Sequence, residues 1–442
     1  MAEDSGIKEI QSIHSRILDL PPSCIEFSPI ARDYFIVGTY YLEKNEDGND
    51  ATKEDEENTS NSPEEKKAQS RRGSLILFRY VNDELTLLQT LPTPSALLDL
   101  HFSPHDPSIF ATATSTGTLS LYQLSLPSDT SPAAPASIQH LSTYQILDPS
   151  TLVLAFAFHP VYSNLLGVSL SNGDISIYQI PSASTSSTGI RKVWTSSSAH
   201  SLEAWTLSFS PDGSTFFSGG DDSKLQAYAI SDVTPQSDEV FKSEAQAEND
   251  EEVDEETELD EPVTLWSDTK THGAGVTAIL PLSIDDDASA MSKILITGSY
   301  DDHIRVYEYP APGLPGRRKV LAETYLEGGV WRLKLLKGYE TSDDARDEGN
   351  APDGTKSVIR VRVLASCMHA GARVVEITRD AEGQWDIAVL AKFEEHKSMN
   401  YGSDVQPFTE GEDNGKAEAR KEFTIMSTSF YDRLLCVWKC ER

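Results

Sequence analysis

Cysteine is scarce in this chain: four residues in 442, Cys24, Cys367, Cys436 and Cys440, with no CxxC pair among them. That spacing offers no disulfide framework. Positive charge is also short, with 37 Lys and Arg against 70 Asp and Glu and a formal net charge of −33. A basic footprint is what nucleic acid and anionic membranes need, so neither is expected as a direct ligand. The acid favours a basic partner or a cationic ligand instead. Much of it lies in two runs that read as disordered, which leaves the ordered surface less extreme. The N terminus lacks the basic, apolar, small-residue order of a secretory signal, and no apolar run is long enough to cross a bilayer. A reducing compartment is the simplest expectation, the cytosol first and the nucleus second. Local catalytic motifs are missing too: no GxSxG, HExxH, Walker loop or GxGxxG is found. An active site assembled from separate elements would leave no such motif. No metal and no cofactor are expected.

What the chain does have is a repeat. Met291–Tyr309, MSKILITGSYDDHIRVYEY, reads as two short strands around a tight turn. Ile294–Thr297 is β-branched, Gly298–Asp302 turns, and Ile304, Val306 and Tyr307 resume an apolar strand. Other segments align on the residue equivalent to Ile304: Leu75, Leu119, Ile175, Leu225, Ala372 and Leu435. An aromatic follows three residues later at Phe78, Tyr122, Tyr178, Tyr228 and Trp438, with Val375 the exception. Phe27-Ser-Pro29, Phe102-Ser-Pro104, Phe158-His-Pro160 and Phe209-Ser-Pro211 mark the ends of first strands. The period is roughly 45 residues once insertions are discounted, which suits a four-stranded propeller blade. Seven such units imply an all-β, seven-bladed WD40-type β-propeller, because one blade cannot bury both faces of its sheet.

The chain thus reads as one domain over 1–442. The N-terminal segment Lys8–Leu20 is expected to supply the last blade's outer strand and so remove an exposed edge. Residues 43–72 read as a disordered insertion in blade one and 237–261 as an acidic one in blade four, both too polar to fold alone. Val263–Trp266 returns as blade four's outer strand. Residues 341–356 and 409–421 read as charged loops.

Propeller sites lie at the channel mouth, where the loops entering each blade meet the turns after each second strand. His200, His272 and His396 fall in entering loops. The turn position of Asp301 is Thr116, Asn172, Asp222, His369 and Asp432 in the other blades that share it. A turn Asp of this kind often fixes its blade through an entering-loop His, and His272 with Asp301 and Ser299 suits that role. His369 departs from the pattern, in a blade that also lacks its aromatic, and such departures cluster at functional sites. Cys367 should share its strand face and reads as a small hydrophobe rather than a nucleophile. Gly328 and Gly329 permit either a close approach to a ligand or a sharp turn into the strand. Trp205 and Trp331 enter blades four and six, and with Glu203 they could hold a quaternary ammonium through cation–π contact. The loop His396–Asp404 gathers His396, Tyr401 and Asp404, a base, a donor and an orienter for hydrolysis, or else a set of ordinary loop hydrogen bonds.

The segments EAW, HGAGV, TGSYDDHIRVYE, GGVWRLK, SCMHAGARVV, HKSMNYGSD and STSFYDRLLCVW, in this order from His200 to Trp438, resemble the WD-repeat diphthine methylesterase family of diphthamide biosynthesis. The N-terminal half resembles WD blades only in general pattern. The resemblance implies a protein substrate, translation elongation factor 2 carrying methylated diphthine. It implies hydrolysis of the methyl ester to diphthine and methanol, after which a later enzyme amidates the carboxylate. That substrate bears a trimethylammonium, to which an acidic, aromatic mouth is suited. The resemblance brings no catalytic assignment. Ester chemistry asks for an activated water and donors to the oxyanion. The expected roles are therefore His369 or His396 as base, Tyr401 or the amides near Gly328 and Gly329 as donors, Asp404 as orienter, and Glu203, Trp205 and Trp331 as substrate-binding groups. A monomer is expected. The competing expectation is a non-catalytic scaffold that presents modified elongation factor to the amidating enzyme.

Overall fold

A computed structural model describes residues 7–42, 71–127, 135–181, 189–230, 263–283, 292–311, 313–314, 316–342, 358–408 and 422–441. The proposed insertion at 237–261 and the charged loop at 409–421 lie outside these residues. So do most of 43–72 and 341–356. The ends of those two segments are strand, however: Arg71 and Arg72 pair with Leu42 and Tyr41, and Thr341 and Ser342 pair with Ile359 and Val358.

Seven antiparallel sheets form the ring. Their inner strands are Pro22–Phe27, Leu97–Phe102, Val153–Phe158, Ala204–Phe209, Val276–Leu282, Arg332–Ser342 and Gly402–Val405. Each touches the next, and Gly402–Val405 touches Pro22–Phe27 to close the circle. Between neighbouring blades the apolar side chains interleave into buried clusters, such as Leu282, Ile296, Val306, Val330, Val361 and Val375 between blades five and six. Burying apolar faces between neighbours in this way is the physical reason the blades form a ring.

The N terminus closes the ring as expected. Ser12–Ile17 pairs antiparallel with Leu434–Glu441 and completes blade seven. A second lock is less easily read from sequence: Lys8–Ile10 pairs in parallel with Trp385–Phe393, the outer strand of blade six. Residues 8–17 therefore stitch two blades together. Val263–Asp268 forms blade four's outer strand, pairing with Leu225–Ala229.

A further stitch runs around the inner wall. Asp404 of blade seven accepts the Phe27 N–H of blade one at 2.7 Å. Glu26 of blade one reaches the Phe102 N–H of blade two at 3.4 Å. Asp99 of blade two accepts the Phe156 N–H of blade three at 3.1 Å. Carboxylates on three consecutive inner strands thus satisfy amides of the next blade that would otherwise be buried without a partner.

Candidate functional site

The histidines of the entering loops are joints of the blades. His396 is 5% exposed, and its Nε2 lies 2.7 Å from Ser427 Oγ, to which Trp438 Nε1 also donates at 3.0 Å. Its Nδ1 is buried with no polar partner among the described residues. Burial pushes its pKa down to about 4. The expectation of His396 as a base is disfavoured: the ring is enclosed, its Nε2 is taken by Ser427, and burial lowers its basicity. His200 is held in the same way, by Asp222 at 2.9 Å and Ser218 at 2.8 Å. His272 bonds Thr297 Oγ1 at 3.0 Å, not Asp301. Asp301 accepts instead from Gly273 N at 2.7 Å and pairs with Arg305 at 2.8 Å. Asp432 repeats this, accepting from Lys397 N and Ser398 Oγ. In both blades the carboxylate grips the backbone beside the histidine rather than its ring.

Asp404 also changes role. It lies 2% exposed on the channel wall, bonded to Phe27 N and Val405 N and paired with Lys334 at 3.2 Å. It orients no histidine. Cys367 is fully buried, and burial pushes its thiol up to about 12, well away from a thiolate at neutral pH.

Gly328 and Gly329 are buried against the protein's own turns. A Cβ on Gly328 would collide with the Cys367 carbonyl, and one on Gly329 would meet Met368 Sδ at 2.7 Å and the Tyr300 ring at 3.2 Å. Their smallness serves the sharp turn into blade six. His369 sits exposed on the adjoining turn, with no polar partner among the described residues. The preceding residue, Met368, bridges Asn400, and Asn400 N donates to Met368 O at 2.9 Å. That bridge brings the His369 turn against the segment leading into Tyr401.

Over the mouth the structure assembles an aromatic patch from four blades. Trp205 and Trp331 are 5.4 Å apart between ring centres, and Tyr300 lies 6.3 Å from the first and 5.8 Å from the second. Tyr401 packs on Trp331 at 5.0 Å, and the chain of rings continues through Phe430 to Tyr40. Trp205 occupies a bulge between Ala204 and Thr206, and bulges re-aim side chains. Its indole N–H donates to Asp221 Oδ1 at 3.0 Å. Asp221 N in turn donates to the Glu203 carbonyl at 2.8 Å. Burial, then the neighbouring Tyr401, Asp221 and Glu203, raise the Tyr300 hydroxyl well above the usual phenol range. Burial likewise raises Tyr401. Both phenols therefore stay protonated, as donors.

Below the rings lies a cavity of about 380 Å³ lined by all seven inner strands. Its wall carries six ionisable side chains, three acidic and three basic: Glu26, Asp99, His101, Arg332, Lys334 and Asp404. Arg332 Nη2 bonds Asp99 Oδ1 at 2.8 Å, and His101 lies 3.3 Å from Asp99 and 2.7 Å from Glu26. Burial opposes the charge on His101, but the two carboxylates outweigh it and hold the ring at about 10.

Of the sequence candidates, Glu203, Trp205, Trp331, Tyr401 and His369 share this end of the ring, while His396 is withdrawn into a joint. Tyr300, Asp221, Arg332 and Lys334 were missed. A signal existed for each. Asp221 and Tyr300 sit one residue before the turn positions Asp222 and Asp301. Arg332 and Lys334 alternate with apolar residues in an inner strand, as Asp99 and His101 do.

The WD domain, G-beta repeat family model matches residues 191–228. Diphthine methyltransferase of Schizosaccharomyces pombe is 27% identical over 422 residues, covering 95% of each chain. The Saccharomyces cerevisiae protein of the same name is 25% identical and covers 98% of this chain and 99% of its own. A Dictyostelium discoideum homologue is 22% identical over 96% of this chain and 98% of its own. Among solved structures, Chaetomium thermophilum Sqt1 bound to the N-terminus of the ribosomal protein L10 superposes with a TM-score of 0.54 at 14% identity, over 98% of this chain and 100% of that one. A chain of a mitotic checkpoint complex matches equally, at 12% identity, over 98% of this chain and 96% of its own. These last two speak for the fold alone. The seven-bladed ring, and relatives that align along nearly its whole length, support the WD-repeat family whose curated members are named diphthine methyltransferase.

Proposed function

We propose that this protein acts in diphthamide biosynthesis, in the cytoplasm, by hydrolysing the methyl ester of methylated diphthine on translation elongation factor 2. The observation that carries this reading is the aromatic mouth: Trp205, Tyr300, Trp331 and Tyr401 in mutual contact beside Asp221 and Glu203. A trimethylammonium has no N–H to donate. It is recognised by π faces and nearby negative charge, and this site supplies both.

With the ammonium held at the rings, the ester lies at the mouth of the channel. Hydrolysis adds water oxygen to the ester carbon and breaks the bond to the methoxy group. One proton passes to the departing methoxide to give methanol, and the new carboxylic acid ionises to diphthine. Tyr401, kept protonated by burial, is suited to donate to the oxyanion. His369, exposed on the neighbouring turn, is the group left to accept a proton from water.

The test incubates the purified protein with methyl-esterified elongation factor 2 and follows the intact mass. Loss of one methylene without any added enzyme supports hydrolysis. Tight binding with the ester unchanged would replace this reading with the scaffold.

A further inference from the structure

The charged ring beneath the aromatic rings is unevenly satisfied, and the imbalance points to a ligand. The carboxylates are occupied. Asp99 accepts from Phe156 N, Leu100 N and Arg332. Asp404 accepts from Phe27 N and Val405 N. These amides hold the acids to the wall, so they cannot swing into the cavity. The cations are freer. Arg332 carries five N–H donors, and its one polar partner among the described residues is Asp99. Its side chain is 28% exposed and that of Lys334 is 44% exposed, both lining the cavity. Arg332 and Lys334 are two residues apart on one strand and so share a face. Arg332 directly follows Trp331 of the aromatic mouth, and consecutive Cα atoms are about 3.8 Å apart. Tyr401, which packs on Trp331 at 5.0 Å, also lines the cavity, so π faces for a cation adjoin spare donors for an anion.

We propose that Arg332, supported by Lys334, is the receptor for the carboxyl end of the ligand, so that the site reads a quaternary ammonium joined to a carboxylate, a betaine, rather than a quaternary ammonium alone. The proposal rests on the aromatic mouth being the ammonium site. In the ester the carbonyl oxygen meets the guanidinium. As water adds, that oxygen takes up negative charge and the bond to Arg332 strengthens. When methanol leaves, the carboxylate product keeps the charge. Arg332 therefore favours the tetrahedral species over the ester, which is the condition for a donor to accelerate the reaction. Asp99 acts as a positioning residue, holding the guanidinium over the cavity.

Four small probes separate the parts: choline, glycine betaine, glycine betaine methyl ester and acetate, each titrated against the full-length protein by ligand-observed NMR. Wild type should bind glycine betaine about tenfold or more tightly than its methyl ester, in line with a charge-assisted hydrogen bond, and acetate weakly. Arg332→Gln should erase that preference and leave choline binding unchanged. Arg332→Lys, which keeps the charge and the link to Asp99 but loses the fork, should retain part of the preference and serves as the variant should Arg332→Gln fold poorly. Choline binding with no preference for betaine, or a preference that survives in both variants, would overturn Arg332 as receptor and leave the ammonium site standing. No binding of choline by wild type would overturn the ammonium site and this proposal with it.

Discussion

Arg332 of blade six reaches across the central channel to Asp99 of blade two, closing it with an ion pair of 2.8 Å. The two stand at the same level of their strands: Arg332 pairs with Ser366 and Asp99 with Ala113, each three residues before its blade's turn position. Blades that share no sheet and no neighbouring interface are thereby tied together, and the mouth gains a floor. Asp99 is 2% exposed while Arg332 faces the cavity, so the pair is neither a surface bridge nor a fully dry one.

That setting predicts measurable coupling. A double-mutant cycle of Asp99→Asn and Arg332→Gln, followed by urea unfolding, should return an interaction energy of about 0.5–3 kcal/mol. His101 remains beside Asp99 in the Arg332 variant, so that single change should cost less than Asp99→Asn. Additivity within error would mean the strut contributes nothing to stability.

His396→Ala should act on the fold. It leaves Ser427 and Trp438 with one partner fewer inside blade seven, at a cost of about 1–3 kcal/mol. Activity per folded molecule should stay close to wild type. Unchanged urea stability together with lost hydrolysis would return His396 to the list of bases.

His369→Ala should do the reverse. The side chain is exposed and has no polar partner among the described residues, so the melting temperature should hold. Hydrolysis should fall by about 100- to 10,000-fold if the imidazole takes the proton. A wild-type rate in this variant would shift the role to a carboxylate at the mouth, Asp221 first.

The mouth predicts an effect on binding. Trp331→Ala and Trp205→Ala should each raise KM for the esterified elongation factor by about 2- to 30-fold, matching about 0.5–2 kcal/mol per cation–π contact. Trp→Phe at either site should lie between. Equal KM values in all four variants would remove these rings from the substrate.

Stability should fall away on both sides of neutrality, through different histidines. His272 and His396 are buried neutral, with pKa values lowered by burial from 6.5 to about 4. The unfolded chain binds their protons first, so their contribution is present above about 6.5 and is lost as pH falls toward about 4, up to about 3 kcal/mol each. His101 has the opposite sign. Held charged to about 10 by Asp99 and Glu26, it stabilises fully below about 6.5, and that contribution is lost as pH rises through about 10. His101→Gln should flatten the alkaline limb of a stability–pH profile and leave the acid limb in place. An unchanged alkaline limb would show that His101 titrates normally.

The sequence by itself determined the ring. Strand length, the Phe-x-Pro ends and the aromatic three residues after each alignment position are local patterns, and a blade has few ways to bury two apolar faces. Closure by the N terminus was legible for the same reason, since blade seven lacked an outer strand and Ser12–Ile17 could supply one. Individual side-chain roles were not legible, because each depends on a neighbour from another blade. His396 and His369 occupy comparable ends of their blades. Only packing shows that Ser427 and Trp438 enclose the first while the second stands in solvent. Asp404 looked like a partner for a loop histidine until the register of blade seven turned it onto Phe27 of blade one. Tyr300 and Trp331 are thirty-one positions apart, yet 5.8 Å separates their rings. Their contact needs blades five and six to pack side by side, and that of Arg332 with Asp99 needs the circle to close; no local pattern links either pair.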